Sequence, residues 1–161
     1  MRYAIIIPAR LASSRLPRKL LLADTGYPLI CHTVAAATAA QQLEADIFAE
    51  VIVAADDLAI VEAVSRYCAE RGLAARAEMT RSDHLSGSDR AAEAAERLPA
   101  TIDAILNLQG DEPEIDPGVL VELAHYLEAR PDADIATLVY PIQNIADFHD
   151  ANLAVSYTHL T

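Results

Sequence analysis

Four basic residues fall within ten positions near the N-terminus of this chain. They are Arg10, Arg15, Arg18 and Lys19, and they follow the apolar run Tyr3–Ile7. Arginine can bind phosphate oxygens through two parallel hydrogen bonds, and lysine adds a compact positive charge. The cluster therefore predicts a site for a polyanion, and an exposed basic loop without a ligand is the simpler alternative.

The position of this basic cluster favours phosphate as the ligand. In open α/β sheets, the loop that follows the first strand and leads into a helix is a usual place for a nucleotide. Residues 8–19 contain no glycine, so they match neither a Walker loop nor the glycine fingerprint of dinucleotide binding. We therefore expect charged side chains to do most of the phosphate binding.

A second segment with chemical potential is Asn107–Pro113, which follows an apolar run. A carboxylate at the carboxyl end of a strand, beside a basic phosphate loop, is well placed to hold Mg²⁺ on a nucleotide triphosphate. Asp111 is the predicted metal ligand. Taken alone, the segment is better interpreted as an acidic turn that uses Gly110 and Pro113.

The third segment, Met79–Arg90, is rich in hydrogen-bond donors and acceptors and lies between a short predicted strand and a helix. A few placed polar groups near backbone amides suit the recognition of a base edge and a ribose. The alternative is an ordinary helix start, in which Ser86 and Asp89 cap the helix, Arg90 is solvated and His84 is a loop histidine.

The elements that must position these segments follow from the apolar pattern. Short runs rich in isoleucine and valine predict strands buried on both faces, and helix-length segments lie between them. The predicted strands are Tyr3–Ile7, Val51–Ala54, Ile102–Leu108 and Ile135–Val139. The predicted helices are Leu29–Gln42, Leu58–Arg71, Asp89–Leu98 and Val119–Ala129. This order predicts an α/β fold with a doubly wound, mostly parallel sheet.

Helix boundaries carry their own signals. Asp56 and Asp57 place negative charge before the second helix, and residues 86–89 read as a capping box with Asp in place of Glu. Asp116 is an N-cap candidate followed by proline at the first helical position, and Gly72 follows a basic last turn. Local chemistry and hydrophobic periodicity thus predict the same elements.

Composition narrows the class of partner. The 161 residues include 24 acidic and 12 basic ones, with a formal net charge of -12, which disfavours nucleic acid and anionic membranes as partners. Cys31 and Cys68 form no CxxC pair and are expected to be buried thiols in a reducing compartment. No signal peptide and no long apolar run is visible, so we expect a cytoplasmic protein.

The three segments together resemble one family. The patterns are Ile-Pro-Ala-Arg-x-x-Ser-x-Arg-Leu-Pro-x-Lys, then Thr-Arg-x-Asp-His-x-Ser-Gly-Ser, then Asn-x-Gln-Gly-Asp-Glu-Pro. In this order they resemble 3-deoxy-manno-octulosonate cytidylyltransferase, also called CMP-Kdo synthetase. The resemblance runs from about Tyr3 to Asn152, with Ala136–Leu138 and Pro141–Ile142 fitting the same family.

The resemblance implies a nucleotide-diphospho-sugar transferase-like fold and an enzyme of lipopolysaccharide biosynthesis. The implied reaction transfers CMP from CTP to the anomeric hydroxyl of Kdo and releases pyrophosphate, with Mg²⁺ required. By resemblance, the triphosphate and the metal are held by Arg10, Arg15, Lys19 and Asp111. The implied substrate-binding residues are Ala9, Arg81, Asp83, Ser86, Gly87 and Gln109.

The chain departs from the family pattern in two places that bear on function. Arg18 occupies a position where the family usually has glycine. Family members are longer, and the resemblance implies that their later half carries a second metal-binding aspartate, most of the Kdo pocket and a homodimer surface. We therefore expect residues 1–155 to be the N-terminal nucleotide-binding part of a cytidylyltransferase domain, and 156–161 to be a tail unlike the family.

Three other functions remain open at this point. The acceptor could be sialic acid or another acidic sugar, because the sugar pocket lies in the implied later half. A chain with the nucleotide loops alone could be a noncatalytic nucleotide-binding module. The third alternative is an α/β domain with an exposed basic loop and no ligand. It would require the three segments to match the family patterns, in the same order, by chance.

Overall fold

The computed structural model describes residues 1–12 and 16–139. In this part of the chain, strands and helices alternate in four successive pairs. The strands are β1 (Tyr3–Ala9), β2 (Phe48–Ala55), β3 (Arg76–Met79) and β4 (Ala104–Asn107). The helices are α1 (Leu29–Leu43), α2 (Leu58–Arg71), α3 (Gly87–Ala95) and α4 (Pro117–Glu128), and a 3₁₀ helix at Lys19–Leu21 precedes α1. The predicted alternation is confirmed.

The four strands form one parallel sheet in the order β3-β2-β1-β4. Ala9 of β1 pairs with Ala55 of β2, and Ile6 pairs with Asn107 of β4. Because all the strands run in one direction, their carboxyl ends meet at one edge. The strand order reverses between β1 and β4, which makes the crevice between their ends a topological switch point.

Helices cover both faces of the sheet. On one face α1, α2 and α4 pack over a core that includes Ile5 and Ile7 of β1, while α3 covers the other face over Ala4 and Ile6. All four of these side chains are fully buried, so β1 is apolar along its whole length. Burial of each isoleucine side chain stabilises the folded state by about 1.5–3 kcal/mol. The predicted doubly wound α/β fold is confirmed.

The predicted helix boundaries are set by the expected side chains. The carboxylate of Asp57 accepts a hydrogen bond from the Ala59 amide at 2.8 Å, and Asp116 caps α4 ahead of Pro117. Ser86 and Asp89 form the reciprocal capping box of α3. Gly72 ends α2 with a left-handed φ of 64°. These caps satisfy backbone groups that the helix leaves unpaired.

One predicted strand is wrong. Residues 135–139 have no strand structure, and Ile135 and Val139 are 86% and 74% exposed. Isoleucine and valine favour a strand only where a neighbouring strand supplies hydrogen bonds and a surface to pack on. Among the described residues, β4 pairs only with β1, and no strand pairs with 135–139.

The two cysteines are buried, as predicted. Burial raises the pKa of the Cys31 thiol to about 11, so the thiol stays protonated near neutral pH.

The described residues contain no helix that is both long and apolar enough to cross a membrane.

Candidate functional site

A cleft of about 330 Å³ lies at the carboxyl edge of the sheet. The ends of β1 and β4 form its floor, and the start of α3 forms one wall, so it coincides with the topological switch point. Its lining residues come from all three predicted segments: Pro8, Arg10, Ala12, Lys19, Leu20, Leu85, Ser86, Gly87, Arg90, Gln109, Gly110 and Asp111. The fold therefore brings together chemistry that the sequence spreads over about a hundred residues.

Lys19 and Asp111 contact each other across this cleft. Lys19 begins the 3₁₀ helix, and its Nζ lies 2.9 Å from Asp111 Oδ2, with both side chains more than a third exposed. A cation and a carboxylate at the same point can engage a phosphate and a divalent metal, respectively. The expected proximity of the basic loop and the acidic turn is present in the fold.

Arg10 connects the first loop to the third segment. Its Nη2 donates a hydrogen bond to the His84 carbonyl at 2.9 Å, and the side chain lines the cleft. Arg15, the remaining member of the predicted phosphate set, lies outside the described residues, as do Pro141–Ile142 and the predicted tail. Arg10 and Lys19 are thus the members of the set whose positions are defined.

The turn that carries Asp111 is fixed by close packing at Gly110. A Cβ on Gly110 would lie 3.0 Å from the Pro8 carbonyl oxygen and 3.0 Å from Ile30 Cδ1. The buried Thr33 hydroxyl also donates a hydrogen bond to the Gly110 carbonyl at 3.0 Å. Helix α1 and strand β1 therefore hold the turn from two sides, and a side chain larger than that of glycine would force these neighbours to shift.

Two further predicted substrate residues, Gly87 and Gln109, lie against each other in the cleft lining. A Cβ on Gly87 would lie 3.3 Å from Gln109 Oε1, so the first turn of α3 lies against the β4 loop. Ser86 lines the same wall, and its hydroxyl accepts from the Asp89 amide at 3.1 Å. This wall presents glycine backbone and a side-chain amide, which suit close contact with a planar or sugar-like group.

Three predicted substrate residues are not brought to the cleft lining. Arg81 and Asp83 pair with each other through two hydrogen bonds of 2.9 and 3.1 Å, and both side chains are 69% exposed. The hydrogen bond from Arg81 lowers the pKa of Asp83. Ala9 is buried at the end of β1. Their predicted roles in substrate binding stay predictions.

The loop between β3 and α3 is anchored by a glutamate on the helix. Glu93 accepts hydrogen bonds from the Arg81 amide at 3.0 Å and from the His84 ring at 2.5 Å, and it also pairs with Arg97. The bond from the Arg81 amide, followed by that from His84, lowers the pKa of Glu93. This loop is therefore held by α3 rather than free in solution.

Arg90 is a cleft residue outside the predicted set. The alternative that leaves Arg90 solvated is wrong, because this residue of α3 is 1% exposed and lines the cleft. Desolvation lowers its pKa, and the nearby Asp56 opposes that shift. Spacing on α3 provides the signal that would have found it, since Arg90 shares the buried stripe of Ala91 and Ala94.

The residues present can accommodate Mg²⁺ when a nucleotide supplies further oxygens. The described residues contain no group of three or more acidic, histidine or cysteine side chains able to hold a metal by themselves. Mg²⁺ is commonly held by one or two carboxylates together with substrate phosphates and water. The exposed Asp111 carboxylate fits such a role.

The fold and the cleft define an α/β protein whose basic and acidic side chains converge at the switch point of a parallel sheet. A family model described as cytidylyltransferase matches residues 4–160. The chain therefore belongs to the cytidylyltransferase family.

Two curated relatives have the same name, 3-deoxy-manno-octulosonate cytidylyltransferase. The protein of Methylibium petroleiphilum is 41% identical over 154 residues, which is 95% of this chain and 54% of that protein. The protein of Methylococcus capsulatus is 44% identical over 152 residues, covering 94% and 54%. The predicted family resemblance is confirmed, and the chain spans about half the length of these relatives.

Solved structures agree with this placement. The structure of CMP:2-keto-3-deoxy-manno-octonic acid synthetase complexed with CTP is 39% identical, with a TM-score of 0.69 over 82% of this chain and 49% of that one. A cytidylyltransferase from Leptospira borgpetersenii is 23% identical, with a TM-score of 0.60 over 82% and 51%. The second likeness supports the fold alone.

Proposed function

We propose that this chain binds CTP with Mg²⁺ and supplies the nucleotide-binding part of a transfer of CMP to Kdo. The observation that carries the proposal is the contact between Lys19 and Asp111 in a switch-point cleft that Arg10 also lines. The names of the curated relatives, and the CTP bound to a structural neighbour, support the choice of nucleotide and acceptor.

The reaction is a displacement at phosphorus. The anomeric hydroxyl oxygen of Kdo forms a bond to the α-phosphorus of CTP. The bond between that phosphorus and the oxygen that bridges it to the β-phosphorus breaks. The hydroxyl proton is released to solvent, and pyrophosphate leaves with the electron pair of the broken bond. No covalent intermediate with the protein is needed, so positioning and charge stabilisation account for the catalysis.

The side chains of the cleft divide this work by charge. Lys19 and Arg10 would bind triphosphate oxygens and balance the negative charge that grows on the departing pyrophosphate. Asp111 would hold Mg²⁺, which when bound neutralises phosphate oxygens and helps to orient them. Gln109 and Gly87, on the opposite wall, would contact the nucleoside and the sugar.

Several parts of the proposal concern the whole enzyme. For the whole enzyme, the family resemblance supports the proposal of a homodimer and a role in lipopolysaccharide synthesis, and a cytoplasmic location is proposed with them. Sialic acid or another acidic sugar is the alternative acceptor. Because the chain spans about half the length of its relatives, a nucleotide-binding module without transfer activity is a second candidate function.

Calorimetric titration of the chain with CTP, UTP and ATP in the presence of Mg²⁺ tests the nucleotide. We expect CTP to bind most tightly and to lose affinity when the metal is chelated. Equal affinities for CTP and UTP, or no binding, would overturn the proposal.

The acceptor is tested by incubating the chain with CTP, Mg²⁺ and either Kdo or sialic acid, and following the CMP-sugar by ³¹P NMR. CMP-Kdo as the product supports the transfer. CMP-sialic acid as the sole product identifies the other acceptor. Tight CTP binding without any CMP-sugar assigns the noncatalytic function to this chain.

A further inference from the structure

Arg90 is the largest fully buried side chain among the described residues. It lies in the first turns of α3, directly below the cleft, and it is charged. Removing a guanidinium from water is costly unless the group is fully hydrogen-bonded. A buried arginine at this point therefore implies strong local contacts, and the structure provides three of them.

The guanidinium donates to groups at the ends of two strands. Its Nη1 lies 2.6 Å from Thr80 Oγ1 and 3.0 Å from the Arg81 carbonyl oxygen, both just beyond β3. Its Nη2 lies 3.4 Å from Asp56 Oδ2, just beyond β2. The planar fork of arginine suits this divergent set of acceptors, which a single ammonium cannot reproduce.

Asp56 carries the connection onward to the basic loop. Its other carboxylate oxygen accepts from the Leu11 amide at 2.8 Å, and its own amide donates to the Ala9 carbonyl at 3.3 Å. Leu11 directly follows Arg10, whose guanidinium in turn binds the His84 carbonyl. The loop after β1 and the loop after β3 are therefore joined twice, once by Arg10 and once by Arg90 together with Asp56.

We propose that Arg90 is a positioning residue that, through Asp56, fixes the phosphate-binding loop after β1 relative to the nucleoside-side loop after β3. The inference rests on the proposed function, because it assigns the two loops to the two ends of one bound CTP. Arg90 lines the cleft, but it is only 1% exposed and its guanidinium is already hydrogen-bonded to Thr80, Arg81 and Asp56. Its contribution is the geometry that allows both ends of the nucleotide to bind at once.

The test compares the affinity for CTP with the affinities for ligands that represent its two ends, cytidine and pyrophosphate. Binding of Mg²⁺-CTP, of cytidine and of Mg²⁺-pyrophosphate is measured for the wild type, for Arg90→Lys, for Asp56→Asn and for the double variant that carries both changes. Arg66→Lys, on the exposed side of α2, is the matched control. All titrations are made well below the melting temperature of each variant, so that a loss of global stability does not change the folded fraction.

We expect Arg90→Lys to weaken CTP by about ten-fold or more, the loss typical of a charged hydrogen bond, with much smaller changes for cytidine and pyrophosphate alone. Asp56→Asn should show the same pattern, and the double variant should lose no more than Arg90→Lys, since both changes break one connection. The control should match the wild type. Amide hydrogen exchange at Leu11 and Arg81 should accelerate in Arg90→Lys, but not in the control.

Other outcomes overturn the inference in distinguishable ways. Equal losses for CTP and pyrophosphate would mean that Arg90 acts on phosphate directly. Unchanged affinities for all three ligands would mean that it serves stability alone. If Arg90→Lys does not fold, Asp56→Asn decides the question by the same criteria. A wild-type chain that binds no CTP overturns the proposed function first, and the inference with it.

Discussion

Lys19 Nζ and Asp111 Oδ2 lie 2.9 Å apart although 92 residues separate them in the chain. Both groups are more than a third exposed, so the ion pair itself contributes little to folding, under about 1 kcal/mol. Its significance lies in its position. A triphosphate with Mg²⁺ would give each partner a new counter-charge, with phosphate oxygens for Lys19 and the metal for Asp111.

Replacing Lys19 with alanine tests this relationship. Loss of one charged phosphate contact should weaken Mg²⁺-CTP binding by about 1.5–3 kcal/mol, with little change in the unfolding free energy. Lys19→Arg should retain part of the affinity because it keeps the charge. Calorimetric titration measures the first effect and urea unfolding the second. An unchanged CTP affinity in Lys19→Ala would remove Lys19 from the site, and Arg66→Ala is the control for net charge.

Gly110→Ala tests whether the turn that carries Asp111 is set by close packing. The added methyl group would lie 3.0 Å from the Pro8 carbonyl oxygen, which is main chain of the central strand and cannot move cheaply. We expect a loss of about 1–3 kcal/mol in unfolding free energy, together with weaker CTP binding.

Gly87→Ala is the matched comparison for Gly110→Ala. There the nearest atom, at 3.3 Å, is Oε1 of the Gln109 side chain, which can rotate away. Its loss of stability, measured by the same urea titration, should be clearly smaller. Equal losses for the two variants would show that backbone packing does not set the turn.

Local chemistry in the sequence is enough to place the helices. The side chains of Asp57, Ser86 and Asp116 cap their helices as predicted, because an N-cap depends on neighbours within a few residues. The proximity of Lys19 to Asp111 could also be predicted from the sequence, because parallel strands bring their carboxyl ends to one edge of the sheet. These are predictions that need only local pattern and the sheet's direction.

The errors arise where a residue's state depends on distant partners. The same residues that identify a capping box also place Arg90 in solvent, yet Arg90 is buried against Asp56, which is 34 residues away. Residues 135–139 have the composition of a strand and no neighbouring strand among the described residues. In both cases the local sequence pattern indicates only a preference. Contacts with residues distant in the sequence determine whether the side chain is buried and whether the strand forms.

Arg18 supplies a prediction about strain beside the site. It has a φ of 56° and a ψ of 27°, and it is the only non-glycine residue among those described with a positive φ. The left-handed conformation costs an ordinary residue about 1 kcal/mol, and glycine adopts it without that penalty. Arg18→Gly should therefore raise the unfolding free energy by about 1 kcal/mol in urea titrations. Arg18→Ala, which keeps a Cβ, should give no such gain; a gain in both variants would point to the loss of charge instead.

Glu93 makes stability depend on pH in a defined direction. Its folded-state pKa is lowered, first by the hydrogen bond from the Arg81 amide and then by that from His84. A carboxyl whose pKa falls on folding stabilises the protein above its unfolded pKa, about 4.3 for glutamate, and loses that contribution as pH falls through the folded value. The wild type should therefore melt at a higher temperature than Glu93→Gln at pH 7. This difference in melting temperature should shrink as the pH falls below about 4.3.

Asp83 and Glu128, whose pKa values are also lowered, are present in both proteins, so the difference in melting temperature isolates Glu93. Differential scanning calorimetry of the two proteins from pH 7 to pH 3 makes the measurement. A gap that stays constant over this range would show that the carboxylate does not hold the loop through its charge.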